Sequence, residues 1–98
     1  MAAEKTLKIT NKLGLHARAA AKLVQTSVRF KCEVKLARID GAGKPGAQAT
    51  EVNAKSIMGV LMLAAAIGTT VRIHCEGEDE QPALDALVAL FEGKFGEE

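Results

Sequence analysis

Residues 11–21 read Asn11-Lys12-Leu13-Gly14-Leu15-His16-Ala17-Arg18-Ala19-Ala20-Ala21, and they connect two segments of different periodicity. The segment before them, Lys5–Thr10, resembles a strand, and Gly14 supplies the turn that follows it. Alanines and valines then recur at helical spacing, which predicts a helix that begins immediately after His16. The histidine is therefore expected at a helix start, where unpaired N–H groups and the helix dipole favour an anion.

The rest of the chain alternates between strand and helix patterns without internal repeats. The predicted segments are, in order, Lys5–Thr10, Ala17–Ser27, Arg29–Ala37, Thr50–Asn53, Ser56–Ala66, Thr69–Glu76 and a last helix with Pro82 in its first turn. Strands with their apolar residues on one face indicate a sheet that is open to water on the other face. The order β-α-β-β-α-β-α therefore predicts an α+β fold, an open-faced β-sandwich in which three helices cover one face of a four-stranded antiparallel sheet.

The apolar positions of the helices predict which side of each one faces the core. In the first helix these positions are Ala17, Ala20, Ala21, Val24 and Val28, and in the last they are Leu84, Leu87, Val88 and Phe91. The second helix has more apolar residues than one narrow stripe can bury. Its core stripe is expected to contain Val60, Leu63 and Ala64. The surplus predicts an exposed apolar patch of Ile57, Met58 and Leu61, with Ile57 and Met58 nearest the surface.

Composition narrows the classes of function. The 98 residues suffice for a single domain, 1–98, and 48% of them are apolar, so a packed core requires no metal or cross-link. The net charge of +1 gives no overall attraction to nucleic acid or to an anionic membrane. No apolar run reaches the length of a membrane span, and the first residues lack the apolar core of a signal peptide. We therefore expect a cytoplasmic protein without nucleic-acid binding or membrane insertion.

Side chains that commonly bind metals are sparse in this chain. Cys32 and Cys75 fall on the apolar faces of strand-like segments, which predicts buried, reduced thiols. A disulfide between them would require neighbouring strands in suitable register. His74 is expected on the outward face of its strand, as an exposed sheet residue and not as a ligand. Because neither the cysteines nor the histidines are spaced as metal ligands, we predict no metal and no cofactor.

His16 has the chemistry of a phosphoryl acceptor. An unperturbed imidazole titrates near pH 6.5, so a neutral and nucleophilic fraction exists under cytoplasmic conditions. The attached group brings close to two negative charges, which the backbone N–H of Ala17 and the planar guanidinium of Arg18 are suited to bind. The alternative is a solvated helix cap beside an ordinary surface charge. A hydrolase with His16 as the base is disfavoured, because the sequence offers no nucleophile and no orienting carboxylate nearby.

Residues 11–20 resemble the active-site signature of the HPr family, the histidine-containing phosphocarriers of the bacterial phosphoenolpyruvate-dependent phosphotransferase system. A second segment, Lys55-Ser56-Ile57-Met58-Gly59-Val60-Leu61, resembles the regulatory-serine segment of that family. The resemblance implies that His16 accepts a phosphoryl group from Enzyme I on its pros nitrogen, Nδ1. The group would then pass to acceptor proteins of a sugar-uptake or regulatory pathway.

Further roles follow from the same resemblance. Arg18 would be the anion-binding neighbour of the histidine, and Ser56 the target of a serine kinase/phosphorylase. The chain would act as a monomeric carrier and not as a turnover enzyme. The residues expected to dock partner proteins are Ala20, Lys22, Ile57, Met58 and Leu61.

The chain departs from the family pattern at two places. Many members have proline where this chain has Ala19; alanine permits the same helix with less rigidity, so we expect transfer to survive at a different rate. The loop Gly41–Gly46 is longer than usual and is expected on the surface, away from both motifs. A second function remains open, a docking module of HPr fold that acts mainly through the state of Ser56. An intact His16 and Arg18 argue against it as the sole role.

Overall fold

The structure is a computed structural model that describes residues 2–97. Its elements are β1 (Ala2–Lys8), α1 (Ala17–Ser27), β2 (Glu33–Asp40), β3 (Gln48–Asn53), α2 (Ile57–Met62), β4 (Thr70–Glu76) and α3 (Glu80–Glu92). A short 3-10 turn, Lys94–Gly96, follows α3. The predicted order β-α-β-β-α-β-α is confirmed, and α1 has the predicted bounds.

The four strands form one antiparallel sheet in the order β1-β4-β2-β3. Alternate residues of the strands join residues of α1, α2 and α3 in a single core, which places the helices on one face. The opposite face carries charged side chains, among them an ion pair of 3.9 Å between Lys35 on β2 and Glu51 on β3. The open-faced β-sandwich is therefore confirmed. Its core is mainly aliphatic, as the near absence of aromatic residues requires.

Both cysteines are buried free thiols. Burial raises the pKa of Cys75 to about 12 and also raises the pKa of Cys32. Both side chains therefore remain protonated near neutral pH and serve as small apolar groups, as predicted.

The buried stripe of α1 differs from the prediction. Its buried residues are Ala19, Ala20, Leu23 and Ser27, whereas Ala17 is exposed and Val28 is 55% exposed. The helix is therefore rotated relative to the expected stripe. Ser27 is accommodated in the core because its hydroxyl donates a hydrogen bond of 2.8 Å to the Leu23 carbonyl.

The second helix is shorter than predicted. It ends at Met62 and not at Ala66, and Ala64 has a positive φ of 52° and is exposed. The prediction that Ala64 packs in the core is wrong. Residues 63–66 instead turn back toward the loop before α1, where the Ala65 carbonyl accepts a hydrogen bond of 2.9 Å from the Leu15 N–H.

All four strands begin at other residues than predicted, β3 at Gln48 and β4 at Thr70 by only two residues and one residue. β1 covers Ala2–Lys8 instead of Lys5–Thr10, and β2 begins at Glu33 instead of Arg29. The cause at β2 is a side chain, because the N–H groups of Lys31 and Cys32 donate to the Asp79 carboxylate at 2.9 Å each. The loop between β2 and β3 is exposed throughout, as expected.

Candidate functional site

His16 is the N-cap residue of α1. Its backbone is extended, with φ −76° and ψ 179°, and the first intrahelical bond runs from the Ala20 N–H to the His16 carbonyl at 2.8 Å. The amides of residues 17–19 precede that bond and therefore point out of the helix start. One of them, the Arg18 N–H, donates to Nδ1 of the His16 ring at 3.3 Å. The ring is 26% exposed, so it is reachable from solvent.

The loop before α1 is fixed by contacts that explain its sequence. Gly14 has a φ of +62°, and an added Cβ would lie 2.5 Å from the Ala65 carbonyl oxygen, so only glycine fits there. The buried Asn11 donates from Nδ2 to the Gly14 carbonyl at 2.8 Å, and the Gly14 N–H donates to the Asn11 carbonyl at 3.1 Å. These bonds hold the loop in the conformation that places His16 at the start of α1.

The other ring nitrogen of His16 contacts a residue that the sequence analysis did not identify. Nε2 lies against Oε2 of Glu97, and Oε1 of Glu97 accepts a hydrogen bond of 3.0 Å from Asn11 Nδ2. The hydrogen bond from Asn11 lowers the pKa of Glu97, and the His16 contact and the Arg18 charge lower it further. Glu97 lies 81 residues from His16 along the chain, so no local pattern indicates the contact.

The two contacts indicate which nitrogen of the His16 ring carries the proton when the ring is neutral. Nδ1 accepts a hydrogen bond from the Arg18 N–H, so it carries the lone pair. Nε2 then carries the hydrogen and donates it to the Glu97 carboxylate. The nucleophilic lone pair is therefore on the nitrogen that faces the helix start.

Three cations lie beside this site. A cavity of about 520 Å³ is lined by Lys12, Leu13, Arg18, Lys22, Gly96 and Glu97. The predicted phosphate-binding residues Ala17 and Arg18 both lie at the start of α1 and are exposed. The local charge is thus positive although the net charge of the chain is only +1.

The predicted docking residues divide into two groups. Ile57, Met58 and Leu61 are 42%, 64% and 37% exposed, which confirms that Ile57 and Met58 lie near the surface. Met62 of the same helix and Leu13 of the loop before α1, which were not predicted, are also exposed. The prediction for Ala20 is wrong, because α1 turns this residue into the core, where it is 0% exposed.

Lys22 and Ser56 are both engaged in contacts within the chain. The Lys22 ammonium donates to the Phe95 carbonyl at 2.5 Å, so this cation already has a partner. Ser56 is the N-cap residue of α2, and its hydroxyl accepts a hydrogen bond of 3.1 Å from the Gly59 N–H. Both residues remain partly accessible.

His74 lies on the open face of the sheet, as expected, but it is paired and not free. Nδ1 contacts Glu4 of β1, and Nε2 lies 3.2 Å from Glu76 of β4. The Glu4 hydrogen bond, followed by the Glu76 bond, raises the pKa of His74, and the His74 bond lowers the pKa of Glu4. Within residues 2–97, no cluster of three or more His, Cys, Asp or Glu side chains could hold a metal ion.

This pairing predicts a pH-dependent stability. Because the pKa of His74 is raised in the folded state, the pairing stabilises the fold at pH values below the pKa of a histidine in the unfolded chain, near 6.5. This stabilisation is lost as the pH rises through the raised pKa of His74 in the folded state. For Glu4 the lowered pKa adds stability above the usual carboxyl value, and acid removes it. We therefore expect His74→Gln to lower the thermal midpoint at pH 6 and to change it little at pH 9. Equal losses at both pH values would contradict the pairing.

Comparison with known proteins agrees with these features. The family model for the PTS HPr component phosphorylation site matches residues 3–93. A phosphocarrier protein HPr of Xylella fastidiosa is 50% identical over 95 residues, which cover 97% of each chain. The crystal structure of HPr-C-His from Thermoanaerobacter tengcongensis superposes with a TM-score of 0.82 at 45% identity, with 98% of each chain covered. The chain belongs to the HPr family of phosphocarrier proteins of the phosphotransferase system.

A second structure from Thermoanaerobacter tengcongensis bears on assembly. It is described as an HPr dimer and superposes with a TM-score of 0.68 at 44% identity, with 93% of this chain and 94% of that chain covered. The monomeric state expected from the sequence therefore stays a prediction. Among residues 2–97, the helices are all too short or too polar to cross a membrane.

Proposed function

We propose that this chain accepts a phosphoryl group from Enzyme I on Nδ1 of His16 and passes it to acceptor proteins of a sugar-uptake or regulatory phosphotransferase system. One observation carries the proposal: the lone pair of a solvent-reachable imidazole faces the first amides of α1. An attached phosphoryl group would meet those N–H groups and the Arg18 guanidinium. Helix termini of this kind bind phosphate oxygens without further machinery.

The chemistry requires little beyond position and charge. The Nδ1 lone pair forms a bond to phosphorus while the bond from phosphorus to the donor breaks, and the reverse sequence delivers the group to the acceptor. Exposed charge interactions at a helix start are worth roughly 0.3–1 kcal/mol each, which holds the group without trapping it. This function is that of a carrier and not of a turnover enzyme, and it uses no cofactor.

Docking of Enzyme I and the acceptors would use the exposed apolar residues of α2, which are the predicted Ile57, Met58 and Leu61 together with Met62. The segment after α2 is bonded to the loop before His16, because the Leu15 N–H donates to the Ala65 carbonyl. Arg18 and Lys12 at the cavity beside it favour an acidic rim on the partner. Residues 1–98 as one domain, a cytoplasmic location and a monomeric state belong to the same proposal.

The direct test is phosphorylation in solution. The protein is incubated with phosphoenolpyruvate and Enzyme I, and its mass is measured before and after acid treatment. A gain of one acid-labile phosphate supports the carrier. No gain with several Enzyme I homologues would contradict it and would favour a docking module that acts through Ser56.

We further propose Ser56 as a regulatory phosphorylation site for a serine kinase/phosphorylase. A phosphate at Ser56 would lie at the start of α2 and beside Ile57 and Met58. It would add negative charge to the docking patch and would hinder a partner with an acidic rim. The hydroxyl as it stands already has a structural role as the cap of α2.

The two roles of Ser56 predict different effects of substitution. Ser56→Ala removes the bond to the Gly59 N–H and should lower the unfolding free energy by about 1 kcal/mol, measured by chemical denaturation. Ser56→Asp keeps a capping oxygen, so it should retain stability while it slows phosphorylation of His16 by Enzyme I. A rate equal to that of the unsubstituted protein would count against regulation through charge. Acid-stable phosphate on Ser56 in protein from native cells would support it.

A further inference from the structure

Residues 94–97, here called the strap, cross from α3 to the histidine site. Phe95 is buried and packs edge-on against Phe91, with ring centroids 4.9 Å apart. Lys22 of α1 donates to the Phe95 carbonyl at 2.5 Å, and the Glu97 N–H donates to the Lys94 carbonyl at 3.0 Å. The strap is thus attached both to the core and to α1.

The strap delivers the Glu97 carboxylate to a fixed position. One oxygen accepts from Asn11 Nδ2 at 3.0 Å, and the other contacts His16 Nε2. The same Asn11 amide also donates to the Gly14 carbonyl at 2.8 Å, in the loop that carries the histidine. The carboxylate and the ring are therefore positioned by one shared residue.

We propose that Glu97 is a positioning residue that keeps a proton on Nε2 of His16 throughout phosphoryl transfer. The inference rests on the proposed function, because it concerns the ring that would carry the phosphoryl group. Its role for the unphosphorylated ring is independent of any transfer, which allows a separate test.

The electron and proton balance shows why this proton matters. When Nδ1 forms its bond to phosphorus and the donor bond breaks, the ring retains its Nε2 proton and becomes a positive imidazolium. The Glu97 carboxylate balances that charge. When the acceptor bonds to phosphorus, the N–P electron pair returns to Nδ1 and a neutral imidazole leaves. Without the Nε2 proton, the leaving group would be an imidazolate anion, which departs far less readily.

The surroundings keep Glu97 ionised. The Asn11 hydrogen bond, the His16 contact and the Arg18 charge all lower the pKa of Glu97. Lys12 and Lys22 line the same cavity. These contacts favour the ionised form of the carboxylate beside the ring.

Two substitutions separate charge from shape. Glu97→Ala removes both oxygens, whereas Glu97→Gln keeps the shape but offers one oxygen to two donors, the Asn11 amide and the His16 Nε2–H. Glu92→Gln is the matched control, because it removes the same charge from an exposed residue at the end of α3.

The first measurement uses unphosphorylated protein with ¹⁵N-labelled histidine at alkaline pH, where the ring is neutral. We expect His16 of the unsubstituted protein and of Glu92→Gln to show the Nε2–H tautomer. In Glu97→Ala the Nδ1–H tautomer should gain population. An unchanged tautomer ratio in Glu97→Ala would overturn the inference and would leave the phosphocarrier proposal intact.

The second measurement uses protein phosphorylated by the small molecule phosphoramidate, so that Enzyme I is not required. We expect the phosphorylated ring of Glu97→Gln and Glu97→Ala to lose its Nε2 proton about one pH unit lower than in the control, because a nearby opposite charge is removed. Transfer of the group to an acceptor should slow by about tenfold above that pH. An identical pH profile in all variants would overturn the inference. Failure of Enzyme I alone to phosphorylate any variant would instead count against the proposed function.

Discussion

His16→Asn should gain no acid-labile phosphate from phosphoenolpyruvate and Enzyme I, with a rate at least about a thousandfold below that of the unsubstituted protein. The substitution removes the only ring nitrogen whose lone pair faces the start of α1. Asparagine is a good N-cap residue and retains an acceptor for the Arg18 N–H, so the fold should be preserved. The measurement is intact mass before and after acid, with circular dichroism as the check on folding.

The second histidine provides the control. His74→Gln removes an imidazole that is bound by Glu4 and Glu76 on the open face of the sheet. It should accept phosphate at the rate of the unsubstituted protein. If phosphate persists in His16→Asn and is lost in His74→Gln, the phosphoryl group is carried by His74 on the open face of the sheet. That result would contradict the proposal.

Gly14→Ala should lower the unfolding free energy by about 3 kcal/mol or more. The residue has a φ of +62°, and its new Cβ would lie 2.5 Å from the Ala65 carbonyl oxygen and 2.9 Å from the Ala66 Cα. Left-handed backbone costs an alanine about 1–2 kcal/mol, and the overlap adds a similar amount as the loop is displaced. Because the same loop aims His16, phosphorylation by Enzyme I should also slow.

Gly43→Ala separates the two costs of Gly14→Ala. Gly43 has a φ of +80°, and nothing lies within 4 Å of an added Cβ in the exposed β2–β3 loop. Gly43→Ala should therefore lower the unfolding free energy only by the cost of a left-handed backbone, about 1–2 kcal/mol. The phosphorylation rate should not change. Equal losses for the two variants, measured by chemical denaturation, would show that contact with Ala65 does not restrain Gly14.

Local patterns predicted most of the architecture because the elements are short and strongly periodic. The histidine cap and the alanine run identify α1 with its actual bounds, Ala17–Ser27. The surplus of apolar residues in α2 correctly indicates an exposed patch, because a narrow helix face cannot bury them all. These features depend on spacing alone, and spacing is visible in the chain.

Other features depend on contacts between distant segments. Three consecutive alanines make the faces of α1 similar in hydrophobicity, so the sequence predicts its buried stripe at the wrong rotation. In the structure, Leu23 and Ser27 lie in the core. The end of α2 is set by the bond from Leu15 to Ala65, and the start of β2 by Asp79. Glu97 approaches His16 only because Phe95 anchors the strap in the core.

The direction of the strap has a practical consequence for handling the protein. A fluorescent label attached to the strap would lie beside the reacting ring and would compete with incoming proteins for space. A label on Ala2 would instead lie at the other end of β1 from Lys8, about 20 Å away by the usual rise per strand residue. Labels for binding experiments therefore belong at the start of the first strand and not on the strap.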